Sequence, residues 1–153
     1  MSILFIHSHY GPTPAAYAEA EAAGRVRVVR ETELTVADFE DVAGLLTTTH
    51  LDQIGFAAFI PALTALLDRG GRWFFNGHML RLFVPGLGLY TPLTKPIRRP
   101  DFALTRLNDH PIFAGIDQKS LEESRGVAGF YGRGHNALPE GGLAVNGISA
   151  APF

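Results

Sequence analysis

Four of the six histidines in this 153-residue chain stand beside other polar groups: His7 and His9 flank Ser8, His50 precedes Asp52, and His78 follows Asn76. Imidazole suits both metal ligation and proton transfer near neutral pH, so a shared location for these rings would point to one of those chemistries. In an extended segment alternate residues point to the same side, which would aim His7 and His9 together. Three readings follow. In the first, His7, His9 and His50 hold a divalent metal such as zinc, with Asp52 or a water completing the shell. In the second, His50 and His78 act as catalytic acid or base. In the third, His7, Ser8, His9 and Asn76, with the other two imidazoles, line a metal-free pocket for a small polar molecule. Against all three stands the plain reading that each histidine is a hydrogen-bonded loop residue.

A second candidate is Gly129-Phe130-Tyr131-Gly132-Arg133-Gly134-His135-Asn136. Alternating glycines let backbone amides approach a ligand closely, Arg133 could clamp a carboxylate or phosphate, and His135 would join it. A glycine-rich turn with a solvated arginine explains the same residues. No Gly-Lys-Ser/Thr follows, so this is not a phosphate-binding P-loop.

The elements that would position these groups alternate in type. Ile3–Ile6 is a short, continuous apolar run, expected for a strand buried on both faces. Thr13 and Pro14 read as an N-cap and first helical residue, with a helix over Ala15–Ala23 stopped by Gly24. Val26–Val29 is a second strand. Thr35 and Asp38 have capping-box spacing for a short helical turn. Val42–Thr48 is a third strand. Phe56, Phe59, Ile60, Leu63, Leu66 and Leu67 then form a helical stripe that ends at Gly70-Gly71; Pro61 implies either a kink, which is favoured, or a helix that starts just before it. Arg72–Asn76 is a fourth strand, and Gly77-His78-Met79 reads as a tight strand-to-helix elbow that would present His78.

Strands alternating with helices imply a parallel sheet, whose ligands bind beyond the carboxyl ends of the strands, where the histidines fall. Residues 84–100 carry too many prolines and glycines for a regular element. Later strands are expected at Phe102–Leu107, Val127–Tyr131 and Leu143–Val145, so the second half should be partly antiparallel.

Composition narrows the function further. With 46% hydrophobic and 18% charged residues, 1–153 reads as one globular domain. A formal net charge of -2, without a basic tract, argues against a nucleic-acid partner. There is no cysteine, which excludes disulfides, thiolate ligands and thiol nucleophiles and fits a reducing compartment, so the cytoplasm is expected. The N-terminus has no signal-peptide layout, and no apolar run reaches the roughly 20 residues of a membrane span. The apolar Leu80–Tyr90 segment leaves a homodimer or another docked chain open.

Taken together, the His7-Ser8-His9 loop, the Leu45-Leu46-Thr47-Thr48 strand, the helix ending at Gly70-Gly71, the Trp73–His78 elbow and His110-Pro111-Ile112-Phe113-Ala114-Gly115-Ile116 resemble the class I glutamine amidotransferase-like superfamily, and within it the trehalose-utilisation-type (ThuA-like) domains. The resemblance implies a flavodoxin-like three-layer sandwich with helices on both faces of a mostly parallel sheet. Active amidotransferases place a cysteine at the elbow, where this chain has His78, so glutaminase activity is not implied. ThuA-like domains usually extend further than Ala150-Ala151-Pro152-Phe153, so a shortened or partial domain is expected. The function expected is binding of a small polar, carbohydrate-related metabolite at a histidine-rich rim, with metal- or histidine-assisted hydrolysis. The alternative is a non-catalytic scaffold or protein-interaction domain.

Overall fold

A computed structural model of the chain describes residues 2–129 and 132–148. Backbone contacts group the chain into two compact units, Met1–Val84 and Pro85–Phe153, within what the sequence reads as one domain.

The first unit is α/β. Its elements are β1 (Ser2–His7), α1 (Ala15–Ala22), β2 (Val26–Arg30), β3 (Val42–Thr48), α2 (Ile60–Asp68) and β4 (Arg72–Asn76). The four strands form one parallel sheet in the order β2-β1-β3-β4. That order matches the first four strands of a flavodoxin-like sheet. The interior strands are the apolar ones: Leu4, Phe5 and Ile6 are at most 1% exposed, and Val42 and Leu45 are buried. Edge strand β4 alternates instead, with Trp73 and Phe75 half-buried and Arg72, Phe74 and Asn76 exposed.

Ring contacts from α1 and from the turn ahead of α2 fall on opposite faces of this sheet. Tyr17 of α1 stacks on Phe5 at 3.9 Å between ring centroids. The register aligns Leu4, Leu45 and Trp73 on the other face. There Phe56, just ahead of α2, packs 6.2 Å from Trp73, and the Trp73 indole donates to the buried Thr47 hydroxyl at 2.9 Å. Phe39, Phe59 and Phe83 complete this aromatic cluster. The expected capping box forms, with the Asp38 carboxylate accepting from the Thr35 N–H and hydroxyl at 2.8 Å each. Asp38 also pairs with Arg27 of β2, fastening that turn to the sheet edge.

Two helix starts differ from expectation. Pro14, not Thr13, is the N-cap of α1, and no side chain among the described residues caps that end; the Pro14 carbonyl takes the first helical N–H groups. Of the two readings of Pro61 the favoured kink is not found and the other holds: a 3-10 turn, Gly55–Phe59, is followed by α2, which starts just before Pro61 and keeps it in the first helical turn. A proline there gives up no hydrogen bond, so the chain starts its helix around it instead of bending. At the other end Gly70 and Gly71 form a Schellman stop, with N–H bonds to Leu67 and Leu66 carbonyls at 2.9 Å each. A Cβ on Gly71 would lie 2.3 Å from the Leu66 side chain, so the site admits only glycine without rearrangement.

The second unit is built from short antiparallel ribbons. Its elements are β5 (Tyr90–Pro92), β6 (Leu104–Arg106), α3 (Gln118–Glu122), β7 (Glu123–Ser124), β8 (Val127–Ala128), β9 (Gly134–Asn136) and β10 (Asn146–Ile148). β5 pairs with β9, β6 with β10, and β7 with β8. The expectation of antiparallel structure here holds, but the details shift. The 84–100 stretch does contain a strand, β5. The strand expected at Phe102–Leu107 is only Leu104–Arg106, after a 3-10 turn over Arg99–Phe102. The one expected at Leu143–Val145 lies at Asn146–Ile148, where the register pairs Ile148 with Leu104 and buries it. Phe130 and Tyr131, the end of the expected Val127–Tyr131 strand, and the terminal Ala150–Phe153 lie outside the described residues.

Candidate functional site

The connections leaving β1 and β3 run to opposite sides of the sheet, β1 to β2 and β3 to β4, which opens a crevice between the carboxyl ends of β1 and β3. His7 is the last residue of β1 and His9 lies two beyond it; His50 lies two beyond the end of β3. The structure brings these three rings into a row. The His7 and His9 centroids are 4.4 Å apart at 74°, and those of His9 and His50 are 5.5 Å apart at 80°. Phe5, two residues before His7 on the same face, backs the row at 6.1 Å.

Burial falls along the row from inside to outside. His7 is 2% exposed, His9 is half-buried and His50 is exposed. Among the described residues neither ring nitrogen of His7 has a hydrogen-bond partner, and neither has the buried Nδ1 of His9. A buried polar atom without a partner costs roughly 1–3 kcal/mol, and nearly all such atoms in native proteins are paired with protein or water. An arrangement with three such atoms therefore calls for a further hydrogen-bonding group to complete it.

Ser8 points to a carboxylate that the sequence did not single out. Glu31, directly after β2, accepts the Asp52 backbone N–H at 2.8 Å and lies within hydrogen-bonding reach of the Ser8 side chain. It thus ties the ends of β1, β2 and β3 together. Burial pushes the Glu31 carboxyl above its ordinary value of 4.5 and the Asp52 charge adds to this, outweighing the hydrogen bonds from Asp52 and Ser8. Its place at a strand's carboxyl end was the available signal.

A raised folded-state value means that protonated Glu31 favours folding. This contribution is fully present below 4.5 and is lost as pH rises through the raised value. Glu31→Gln keeps an acceptor for Asp52 but cannot ionise. Relative to wild type, it should gain urea resistance between acidic and neutral pH; an identical pH profile for the two proteins would refute this role.

The loop after β4 is held by Gln53, which the sequence also did not flag. Its Nε2 donates to the His78 carbonyl at 2.7 Å, and its Oε1 accepts from the Leu80 and Arg81 N–H groups at 2.8 and 3.1 Å. Those contacts, together with the prolines and glycines that follow, replace the helix expected after the elbow. Among the described residues of this unit no helix follows β4, so the strand-to-helix turn is a strand-to-loop turn. Gly77 still marks a close approach, since a Cβ there would lie 2.7 Å from the Thr49 Cα. Asn76 ends β4 opposite Thr48 and is exposed, as is His78.

Arg133 and His135 are carried by the second unit. The Arg133 Nε donates to the Gly129 carbonyl at 2.9 Å. His135 sits in β9 opposite Thr91 with its Nδ1 buried and, among the described residues, unpaired. Nearby, burial raises the Tyr90 phenol above its usual value, partly offset by the Arg133 charge. The glycines of this stretch make room for the protein's own groups: a Cβ on Gly129 would lie 2.3 Å from the Phe102 ring, and one on Gly134 2.2 Å from the Thr91 carbonyl.

Among the described residues no group of three or more His, Cys, Asp or Glu side chains is placed to hold a metal ion. The rings of His7, His9 and His50 meet edge to face along the row. Also among the described residues, no helix is long and apolar enough to cross a membrane. No family model, curated protein or solved structure matches the chain.

Proposed function

We propose that the carboxyl rim between β1 and β3 binds a small polar metabolite, with a carbohydrate-related molecule as the ligand class. The observation that carries this reading is the buried His7 ring, whose two nitrogens lack partners among the described residues while its edge meets His9. Hydroxyl groups both donate and accept, so a polyol could satisfy unpaired imidazole nitrogens whichever of them carries the proton. His50, exposed at the outer end of the row, is placed to take a proton from an attacking water. His78 on the neighbouring loop, or Glu31, would return one to a leaving group, giving histidine-assisted hydrolysis. Ser8 and Asn76 are ligand-binding groups in this scheme, and Arg133 and His135 keep that assignment as a separate proposal for the second unit.

The strand order and the motifs around His7, Trp73–His78 and His110 support placing the chain with cysteine-less relatives of the class I glutamine amidotransferase-like superfamily, of ThuA-like type. The lack of cysteine supports a cytoplasmic setting. A second reading, a scaffold or homodimer, draws on Leu80 and Leu82, which are 62% and 60% exposed on one loop.

Thermal unfolding of the wild type, His9→Ala and His50→Ala against a panel of mono- and disaccharides, polyols and sugar acids tests the first reading, with zinc as a separate arm. Ligand bound to the folded state at about 100 times its Kd stabilises by about 2.7 kcal/mol. A saccharide-type shift present in the wild type and lost in both variants is the expected result. A shift with zinc alone, lost in the same variants, would replace the metabolite with a metal. No shift in any arm, with a dimer by light scattering that Leu82→Asp dissociates, would favour the scaffold.

A further inference from the structure

The second unit holds a groove that the histidine rim does not involve. Arg106 closes β6, and the chain then turns through Asp109 and His110 into a 3-10 turn at Pro111–Phe113. Arg106, Asp109, His110, Pro111, Phe113 and Ala114 line a cavity of about 360 Å³. That volume lies within the roughly 300–1,000 Å³ of small-molecule sites.

The polar groups in this groove are held in place by their neighbours. The Arg106 Nε and Nη2 donate to the Gln118 Oε1 at 3.3 and 3.0 Å, and the guanidinium lies 4.9 Å from the Phe113 ring centroid. Gln118 is itself fixed by donating to the Leu104 carbonyl at 3.3 Å. Among the described residues this leaves the Arg106 Nη1 uncommitted. The His110 Nδ1 accepts from the Ile112 N–H at 3.2 Å, which directs the ring's proton to Nε2 as a donor. The His110 side chain caps this turn, and Asp109 is left exposed with no hydrogen bond or ion pair among the described residues.

Two opposite charges therefore line one groove without pairing to each other. Across the β6–β10 ribbon, Asn146 stands opposite Arg106, on the same face, and its buried Oδ1 has no partner among the described residues. We infer that this groove binds a small zwitterion of the α-amino-acid type with an apolar side chain. Its carboxylate would meet the Arg106 Nη1 and the His110 Nε2–H, its ammonium the Asp109 carboxylate, and its side chain the wall of Pro111, Phe113 and Ala114. A phosphate dianion would be repelled by Asp109, and a simple cation by Arg106. The inference rests on none of the rim residues, so its failure leaves the rim reading unaffected.

The test is a nitrogen-15 NMR titration of the full chain with L-phenylalanine. Two truncated probes accompany it: 3-phenylpropionate, which lacks the ammonium, and 2-phenylethylamine, which lacks the carboxylate. The expected result is saturable shifts of the Phe113 and Ala114 amides with L-phenylalanine, and roughly tenfold weaker binding of each truncated probe, as loss of one charged hydrogen bond predicts. Asp109→Asn removes a side chain with no partner among the described residues and so should fold normally. It should lose about tenfold in affinity for L-phenylalanine while binding 3-phenylpropionate as the wild type does. Shifts that do not saturate, truncated probes that bind as well as the parent, or an Asp109→Asn variant with unchanged affinity would each overturn the assignment.

Discussion

Replacing Phe56 with alanine should lower the unfolding free energy of the first unit by about 3–5 kcal/mol, a large part of the roughly 5–15 kcal/mol available to a domain. Phe56 is 1% exposed and meets four aromatic neighbours, with centroid distances of 5.4 Å to Phe83, 6.0 Å to Phe59, 6.2 Å to Trp73 and 6.4 Å to Phe39. Those neighbours come from the 3-10 turns, β4 and the loop beyond it, so no single movement can close the space left behind. Trp73 is the chain's one tryptophan, so urea unfolding followed by its fluorescence reports on this unit by itself. Phe74 is a matched control on the opposite face: it is 43% exposed, and its alanine variant should change stability by less than about 1 kcal/mol. Equal losses in the two variants would mean that the aromatic cluster does not hold the sheet together.

The same physics explains why the first unit was legible and the second was not. β3 falls where its apolar run lies, because a strand buried inside a parallel sheet needs an unbroken run and the next helix needs a turn to enter it. The rim followed from that reading, since a parallel sheet sends every strand's carboxyl end the same way, and His7, His9 and His50 sit just at or past two adjacent ends. What the sequence hid at this site depends on contacts between distant residues. Glu31 reads as one of several surface acids until the Asp52 amide is seen to bind it. Gln53 carries no signal at all, yet it takes the backbone groups that a helix after β4 would have used. In the second unit the strands are two or three residues long, too short for a period to show. Ile148 is a core residue because it lies opposite Leu104, a partner 44 positions away that no local pattern reveals.

His7→Leu separates a functional rim from a merely structural one, because the two readings predict opposite signs. If His7 is a ligand-binding group kept at the expense of stability, an apolar side chain of similar size removes two buried nitrogens that are unpaired among the described residues and keeps the packing against Phe5. The variant should then gain about 1–2 kcal/mol in urea unfolding, a common result where function has held a strained or unsatisfied group in place. It should also lose any saccharide-induced shift that the wild type shows, since leucine offers nothing to a hydroxyl. If the ring is satisfied by water within the folded unit, the substitution strands that water, and stability should fall instead. His50→Leu provides the contrast: its ring is exposed, so the change should leave stability within about 0.5 kcal/mol while still abolishing ligand binding. Stabilisation at position 7, neutrality at position 50 and lost binding at both would together mark the row as a site held open for a ligand. A destabilised His7→Leu variant that binds as the wild type does would return the ring to the core as a structural residue.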